Sequence, residues 1–166
     1  MNTLPEEIVF GYDELGKPHL AKNHCLKSVE FNLSHTEEIL VIGIIPDILI
    51  GIDIESTALV NDLMLDESIF TEYEYVQMRN YPKHNFWVAK EACLKMTGCG
   101  LLHPLNDIQI DMEANLAVKL STKQNSHLTF FSFDEKLVGA ACTESPPNEV
   151  FLKMFDWNWN QRLPIK

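Results

Sequence analysis

The sequence predicts an α+β fold in which an antiparallel sheet is packed with helices. Three observations lead there. Segments rich in β-branched residues crowd the chain before residue 56, helix-like segments fill 65–97, and alternating segments separated by short polar turns return after Pro104. Strands, then helices, then a meander is not the order of a parallel βαβ array. With 166 residues, 46% hydrophobic and 22% charged, the chain has enough apolar side chains for one sizeable core.

Taken in order, Ile8-Val9-Phe10 predicts a short strand, and Asp13 to Pro18 a turn around Gly16. Val29 to Leu33 alternates and predicts a strand ending at Ser34-His35-Thr36. Glu38 to Ile45 and Ile48 to Ile54 predict a strand pair around the Pro46-Asp47 turn. Leu65 to Met78 predicts a helix closed by Asn80-Tyr81-Pro82, because proline disfavours helix in the residue before it. His84 to Thr97 is the clearest helix, with Gly98 as its left-handed stop. Asp107 to Met112, Ala117 to Leu120, His127 to Phe133 and Leu137 to Cys142 then read as successive antiparallel strands. Their turns are Glu113-Ala114-Asn115 and Asp134-Glu135-Lys136. A last strand is expected near Val150-Phe151-Leu152, before a tail in which Trp157 and Trp159 cover a sheet edge or core flank.

Composition excludes several roles. A formal charge of −11 argues against general nucleic-acid binding, which needs basic surface to displace counterions. The start, Met1 to Glu7, lacks the basic and apolar regions of a signal peptide. The longest apolar region, Ile39 to Ile54, is cut by Pro46-Asp47 and is too short to span a bilayer, so no membrane role and a cytoplasmic location are expected. Cys25, Cys93, Cys99 and Cys142 have no zinc-like spacing and are expected to be reduced, mostly buried thiols.

Two segments carry the chemistry. In Gly51-Ile52-Asp53-Ile54-Glu55, strand alternation turns Asp53 and Glu55 to one face and Ile52 and Ile54 to the other. In Trp87 to Lys95, helical spacing stacks Trp87, Glu91 and Lys95 on one face. Each pattern alone has a plain explanation: the wet side of a half-buried strand, and a surface ion pair between residues one turn apart. Together they offer three carboxylates beside an ammonium group, which is what a magnesium-held, phosphate-bearing substrate requires.

These segments resemble the paired signature of the 4′-phosphopantetheinyl transferases, most closely the Sfp-type branch, with its G-x-D-x-E and F/W-x-x-K-E-A-x-x-K patterns. Gly16-Lys17-Pro18, Phe31-Asn32-Leu33-Ser34-His35-Thr36 and Phe70-Thr71-Glu72-Tyr73-Glu74 are similar to three further motifs, in family order. The resemblance implies transfer of the phosphopantetheine arm of coenzyme A to a serine of an acyl or peptidyl carrier protein, releasing 3′,5′-adenosine bisphosphate. By the same resemblance Asp53, Glu55 and Glu91 hold Mg²⁺, Glu91 and Lys95 are the catalytic residues, and His35, Ser34, Lys17, Lys90 and Lys95 bind the cofactor. Lys95 shares a face with Glu91 and is assigned to the pyrophosphate. Lys90, five positions earlier, is either a phosphate contact or solvated, and Glu74 either assists or is a plain helix-surface acid.

The resemblance implies a single domain over 1–166, with 1–46 a remnant of a first half and 47–166 a second half carrying the metal site. Because the Gly-Lys-Pro turn comes at residue 16, most of the first half-domain and its basic contacts are expected to be absent. Cys99 replaces a commonly basic position. A homo-oligomer completing the cleft would compensate; the alternative is a non-catalytic relative that binds carrier protein or coenzyme A without turnover.

Overall fold

The computed structural model describes residues 4–21, 29–37, 39–62, 67–100 and 103–150. Nine strands and three α-helices occur among them. A small hairpin of β1 (Phe10–Tyr12) and β2 (Pro18–Leu20) comes first. Its turn is held by Asp13, whose Oδ1 accepts from the backbone N–H groups of Leu15 (3.0 Å) and Lys17 (2.7 Å). A longer hairpin follows, β3 (Val29–His35) against β4 (Leu40–Pro46), in register from Val29↔Pro46 to His35↔Leu40.

β5 (Ile50–Ser56) belongs to a five-stranded antiparallel sheet with β6 (Ile108–Asp111), β7 (Leu116–Lys119), β8 (Gln124–Phe133) and β9 (Leu137–Thr143), in the order β5-β9-β8-β7-β6. Between β5 and β6 come α1 (Thr57–Asp62), α2 (Glu72–Gln77) and α3 (Lys83–Thr97). The α+β class with an antiparallel sheet is as the sequence predicts.

Among the described residues, side chains and not a further strand close the β5 edge. Asn32 Oδ1 accepts from Ile52 N–H at 2.9 Å and Ser34 Oγ from Ile54 N–H at 3.3 Å, so side chains of β3 satisfy the outward backbone donors. Ile52 and Ile54 turn to one side and pack with Val41. The opposite side of β5 meets α3 at Gly51, where an added Cβ would lie 2.0 Å from the Ala92 carbonyl oxygen. The absent side chain lets the helix backbone rest directly on the strand. The main core, with Phe86, Ala89, Leu94, Ile110 and Ala140, lies between α3 and the sheet. Gly98 ends α3 at φ 73°.

Some expectations require correction. The two apolar segments around Pro46-Asp47 are strands but not partners: β4 pairs with β3, and β5 with β9. They meet through side chains instead, since a Cβ on Gly43 would collide with Ile50 Cδ1 at 2.7 Å. The helix expected over Leu65 to Met78 is broken into a 3₁₀ turn at Glu67–Ile69 and the short α2. Thr71 makes the break, because its side chain caps Glu74 N–H while Glu74 Oε2 returns to Thr71 N–H. The strand expected at Ile8–Phe10 begins at Phe10 instead, and β2 and α1 are additional. The expected strand around Phe151-Leu152, the tail tryptophans Trp157 and Trp159, and Cys25 lie outside the described residues.

Candidate functional site

The strand segment and the helix segment meet in one cleft. Leu33, Ser34, His35, Asp53, Glu55, Trp87, Glu91 and Lys95 line it, around about 710 Å³ of empty space open to solvent. The placement follows from local geometry. Gly51, Asp53 and Glu55 share the strand face that receives α3, while Trp87, Glu91 and Lys95 are successive turns on the helix face turned toward it. The end of β3 supplies the third wall.

Asp53 is 3% exposed. Its Oδ1 accepts from Lys95 Nζ at 2.7 Å and from Ser34 Oγ at 3.0 Å, and Lys95 Nζ also donates to Ser34 Oγ at 2.9 Å. Asp53 Oδ2 and Glu91 Oε1 are buried and have no hydrogen-bond partner among the described residues. Burial, then Asp53, hold the Glu91 carboxyl up to about 7 against the opposing pull of Lys95, with Glu55 adding to the rise. Burial and then Asp53 also raise Glu55. Like charges are thus crowded together with too little compensation, and two carboxylate oxygens face no donor.

That donor set fits a hard divalent cation, which takes oxygen ligands and relieves like-charge repulsion. Among the described residues, no three His, Cys, Asp or Glu side chains stand close enough together to hold a metal ion as they are placed. The ammonium of Lys95 neutralises Asp53 in this arrangement.

Two lysines expected at the cofactor are engaged elsewhere. Lys90 is fully buried and forms a 2.8 Å ion pair with the equally buried Glu74. It also donates to the carbonyls of Leu105 (3.1 Å) and Ile108. Burial lowers the Lys90 ammonium, and Glu74 opposes that fall. Lys90 is therefore neither a cleft residue nor solvated, and Glu74, which also accepts from Ile110 N–H at 2.8 Å, is no surface acid. The pair ties α2, α3 and β6 together. Lys17 Nζ donates to the Met96 carbonyl at 2.7 Å, so the β1–β2 turn caps the last turn of α3 instead of reaching the cleft. Burial lowers the Lys17 ammonium as well.

His35 stands exposed at the cleft rim, with Nδ1 3.4 Å from the Thr36 carbonyl. The lining residue not foreseen is Leu33. Alternation places it with His35 on the β3 face opposite Ser34, so the sequence signal was present once β3 was known to end at the cleft. Trp87, on the expected helix face, has a buried indole N–H without a partner among the described residues.

The family model "4′-phosphopantetheinyl transferase superfamily" matches residues 49–145. The chain is 31% identical over 144 residues to 4′-phosphopantetheinyl transferase HetI of Nostoc sp., covering 82% of this chain and 60% of that protein. It is 29% identical over 157 residues to 4′-phosphopantetheinyl transferase psf-1 of Bacillus pumilus, covering 88% of this chain and 65% of that protein. The chain thus spans about three fifths of the length of these relatives. The family match contains Asp53, Glu55, Glu91 and Lys95. No helix among the described residues is long and apolar enough to cross a membrane.

Proposed function

Because the chain belongs to the 4′-phosphopantetheinyl transferase superfamily, we propose that it moves the 4′-phosphopantetheine arm of coenzyme A onto a serine of an acyl or peptidyl carrier protein in the cytoplasm. The observation that carries this reading is the meeting of Asp53, Glu55, Glu91 and Lys95 in one cleft, with two buried carboxylate oxygens left unpaired among the described residues.

Asp53, Glu55 and Glu91 would hold Mg²⁺, which supplies positive charge against the diphosphate oxygens. Lys95 serves the pyrophosphate from the same wall as Glu91, and His35 meets the nucleotide phosphates from the rim. Glu91 takes the proton of the carrier serine from its place in the cleft beside Asp53 and Glu55. The serine oxygen forms the new bond to phosphorus, and the bond from that phosphorus to the adenosine bisphosphate breaks. The electron pair leaves with 3′,5′-adenosine bisphosphate.

A mass measurement tests this directly. Apo-carrier protein incubated with coenzyme A, Mg²⁺ and this protein is expected to gain one phosphopantetheine arm. No gain across a panel of carriers, with a folded sample, would refute it. One observation favours a second reading, a relative that binds without turnover: Lys17 and Lys90 are committed to carbonyls and Glu74, leaving Lys95 the single lysine lining the cleft among the described residues. A second copy completing the cleft would restore cationic groups. The exposed Leu40, Ile42 and Ile44 on β4 offer apolar area for such association, and light scattering reads it.

A further inference from the structure

Ser34 is 6% exposed, and every hydrogen-bonding position on its hydroxyl is occupied. A serine hydroxyl has one donor and two acceptor positions. Its proton goes to Asp53 Oδ1 at 3.0 Å, and its oxygen accepts from Lys95 Nζ at 2.9 Å and from Ile54 N–H at 3.3 Å. A phosphate oxygen needs a donor, and the one proton of this group already serves Asp53. The neighbouring His35 lies on the other face of β3, exposed, and carries no such set of contacts.

We infer that Ser34 is a positioning residue and not a substrate contact. It ties the β5 backbone, Asp53 and Lys95 into one unit. Oδ1 of Asp53 is thereby fixed on Lys95, and Oδ2 is left as the oxygen free to take a ligand. Lys95 is held by two oxygens from two strands instead of swinging on its four-carbon stem. Without the hydroxyl, the Asp53 carboxylate can rotate, and Lys95 keeps a single anchor. This inference takes the cleft to be the phosphate site proposed above, but it concerns only how the cleft is built.

The test uses Ser34→Ala and the hydroxyl-retaining Ser34→Thr, with three measurements that need no turnover. Mn²⁺ binding to the protein alone, followed by electron paramagnetic resonance, is expected to weaken about tenfold in Ser34→Ala and to recover in Ser34→Thr. Acetylation of Lys95 by acetic anhydride, followed by mass spectrometry, is expected to speed up about fivefold in Ser34→Ala. Coenzyme A affinity, measured calorimetrically at Mg²⁺ concentrations that saturate wild type and variant alike, is expected to stay within about twofold, because no direct contact is removed.

A tenfold loss of coenzyme A affinity, with Mn²⁺ binding and Lys95 reactivity unchanged, would make Ser34 a ligand and overturn the inference. If wild-type protein binds no Mn²⁺, the Lys95 rate decides alone, and an unchanged rate overturns it. If wild-type protein transfers nothing to any carrier, the proposed function fails while these readouts still decide the role of Ser34. Ser34→Cys, which keeps the size but weakens the hydrogen bonds, replaces the alanine variant if that variant does not fold.

Discussion

Gly51→Ala tests whether the cleft depends on direct helix-on-strand contact. The new methyl would sit 2.0 Å from the Ala92 carbonyl oxygen, 2.2 Å from Met96 N and 2.7 Å from Met96 Cα. All three are backbone atoms of α3, so no side-chain rotation relieves the clash. Reaching even a tight 3.4 Å contact requires the helix and strand to part by about 1.4 Å. Overpacking of this kind costs about 3 kcal/mol, the upper part of the usual range, because the obstacle is rigid. The same displacement carries Glu91 and Lys95 away from Asp53, and a misplacement of about 1 Å can cost about 100-fold in rate. Urea unfolding and the carrier mass-shift assay read the two effects. Gly43→Ala is the internal control: its clash is with the far end of the Ile50 side chain, which can rotate, so a smaller stability loss is expected. Gly51→Ala with a wild-type unfolding midpoint and wild-type transfer would refute the close-approach argument.

Four other outcomes follow from the structure. Asp53→Asn is expected to abolish transfer while shifting stability by about 1 kcal/mol or less, since Lys95 is partly exposed and can return to water; urea midpoints and product mass check both. Lys90→Ala is expected to cost about 3–5 kcal/mol by stranding buried Glu74, whereas the double change Lys90→Met with Glu74→Gln recovers part of it, since the amide oxygen still accepts from Ile110 N–H; calorimetric coenzyme A affinity of the double variant should match wild type. The raised Glu91 carboxyl gives a pH signature in protein freed of divalent ions. Its stabilising contribution is fully present below about 4.5 and is lost as pH rises through about 7, amounting to about 1–2 kcal/mol after allowance for solvent screening. Glu91→Gln is expected to flatten that part of the urea-midpoint profile between pH 4.5 and 7. Lys17→Met is expected to lower stability by about 1 kcal/mol by releasing the Met96 carbonyl, with coenzyme A affinity unchanged.

What the sequence disclosed and what it hid divide along a physical line. Asp53, Glu55, Trp87, Glu91 and Lys95 reach one cleft because strand parity and helix spacing fix relative directions within a few residues, and those rules are local. The α+β class was legible for the same reason. The pairing of β4 with β3 was not, because alternation marks a strand without naming its neighbour. The break at Thr71 did have a local signal: Thr71-Glu72-Tyr73-Glu74 has capping-box spacing, overridden by the long helical pattern around it. Lys90, Glu74 and Lys17 were illegible in a deeper sense. A lysine or glutamate reads as solvated unless the partner is known, and here the partners are 16 residues away, or lie on a carbonyl at the far end of another element.

The misassigned lysines sharpen the electrostatic problem of the cleft. With Lys90 and Lys17 withdrawn, three carboxylates line one cleft with Lys95 and an exposed His35 among the described residues, in a chain of net charge −11. A polyphosphorylated substrate entering such a cleft meets repulsion unless positive charge arrives with it. Among the described residues, the unpaired oxygens of Asp53 and Glu91 are where a cation gains most, and a bound cation favours the charged form of Glu91, which burial and Asp53 disfavour. Under the proposed function, the same carboxylates that repel coenzyme A in a metal-free protein become its means of attachment once a divalent ion is supplied. Coenzyme A affinity is accordingly expected to rise steeply with Mg²⁺ for wild type and hardly at all for Asp53→Asn. Tight binding without added divalent ion, undiminished by a chelator, would show that the positive charge comes from elsewhere.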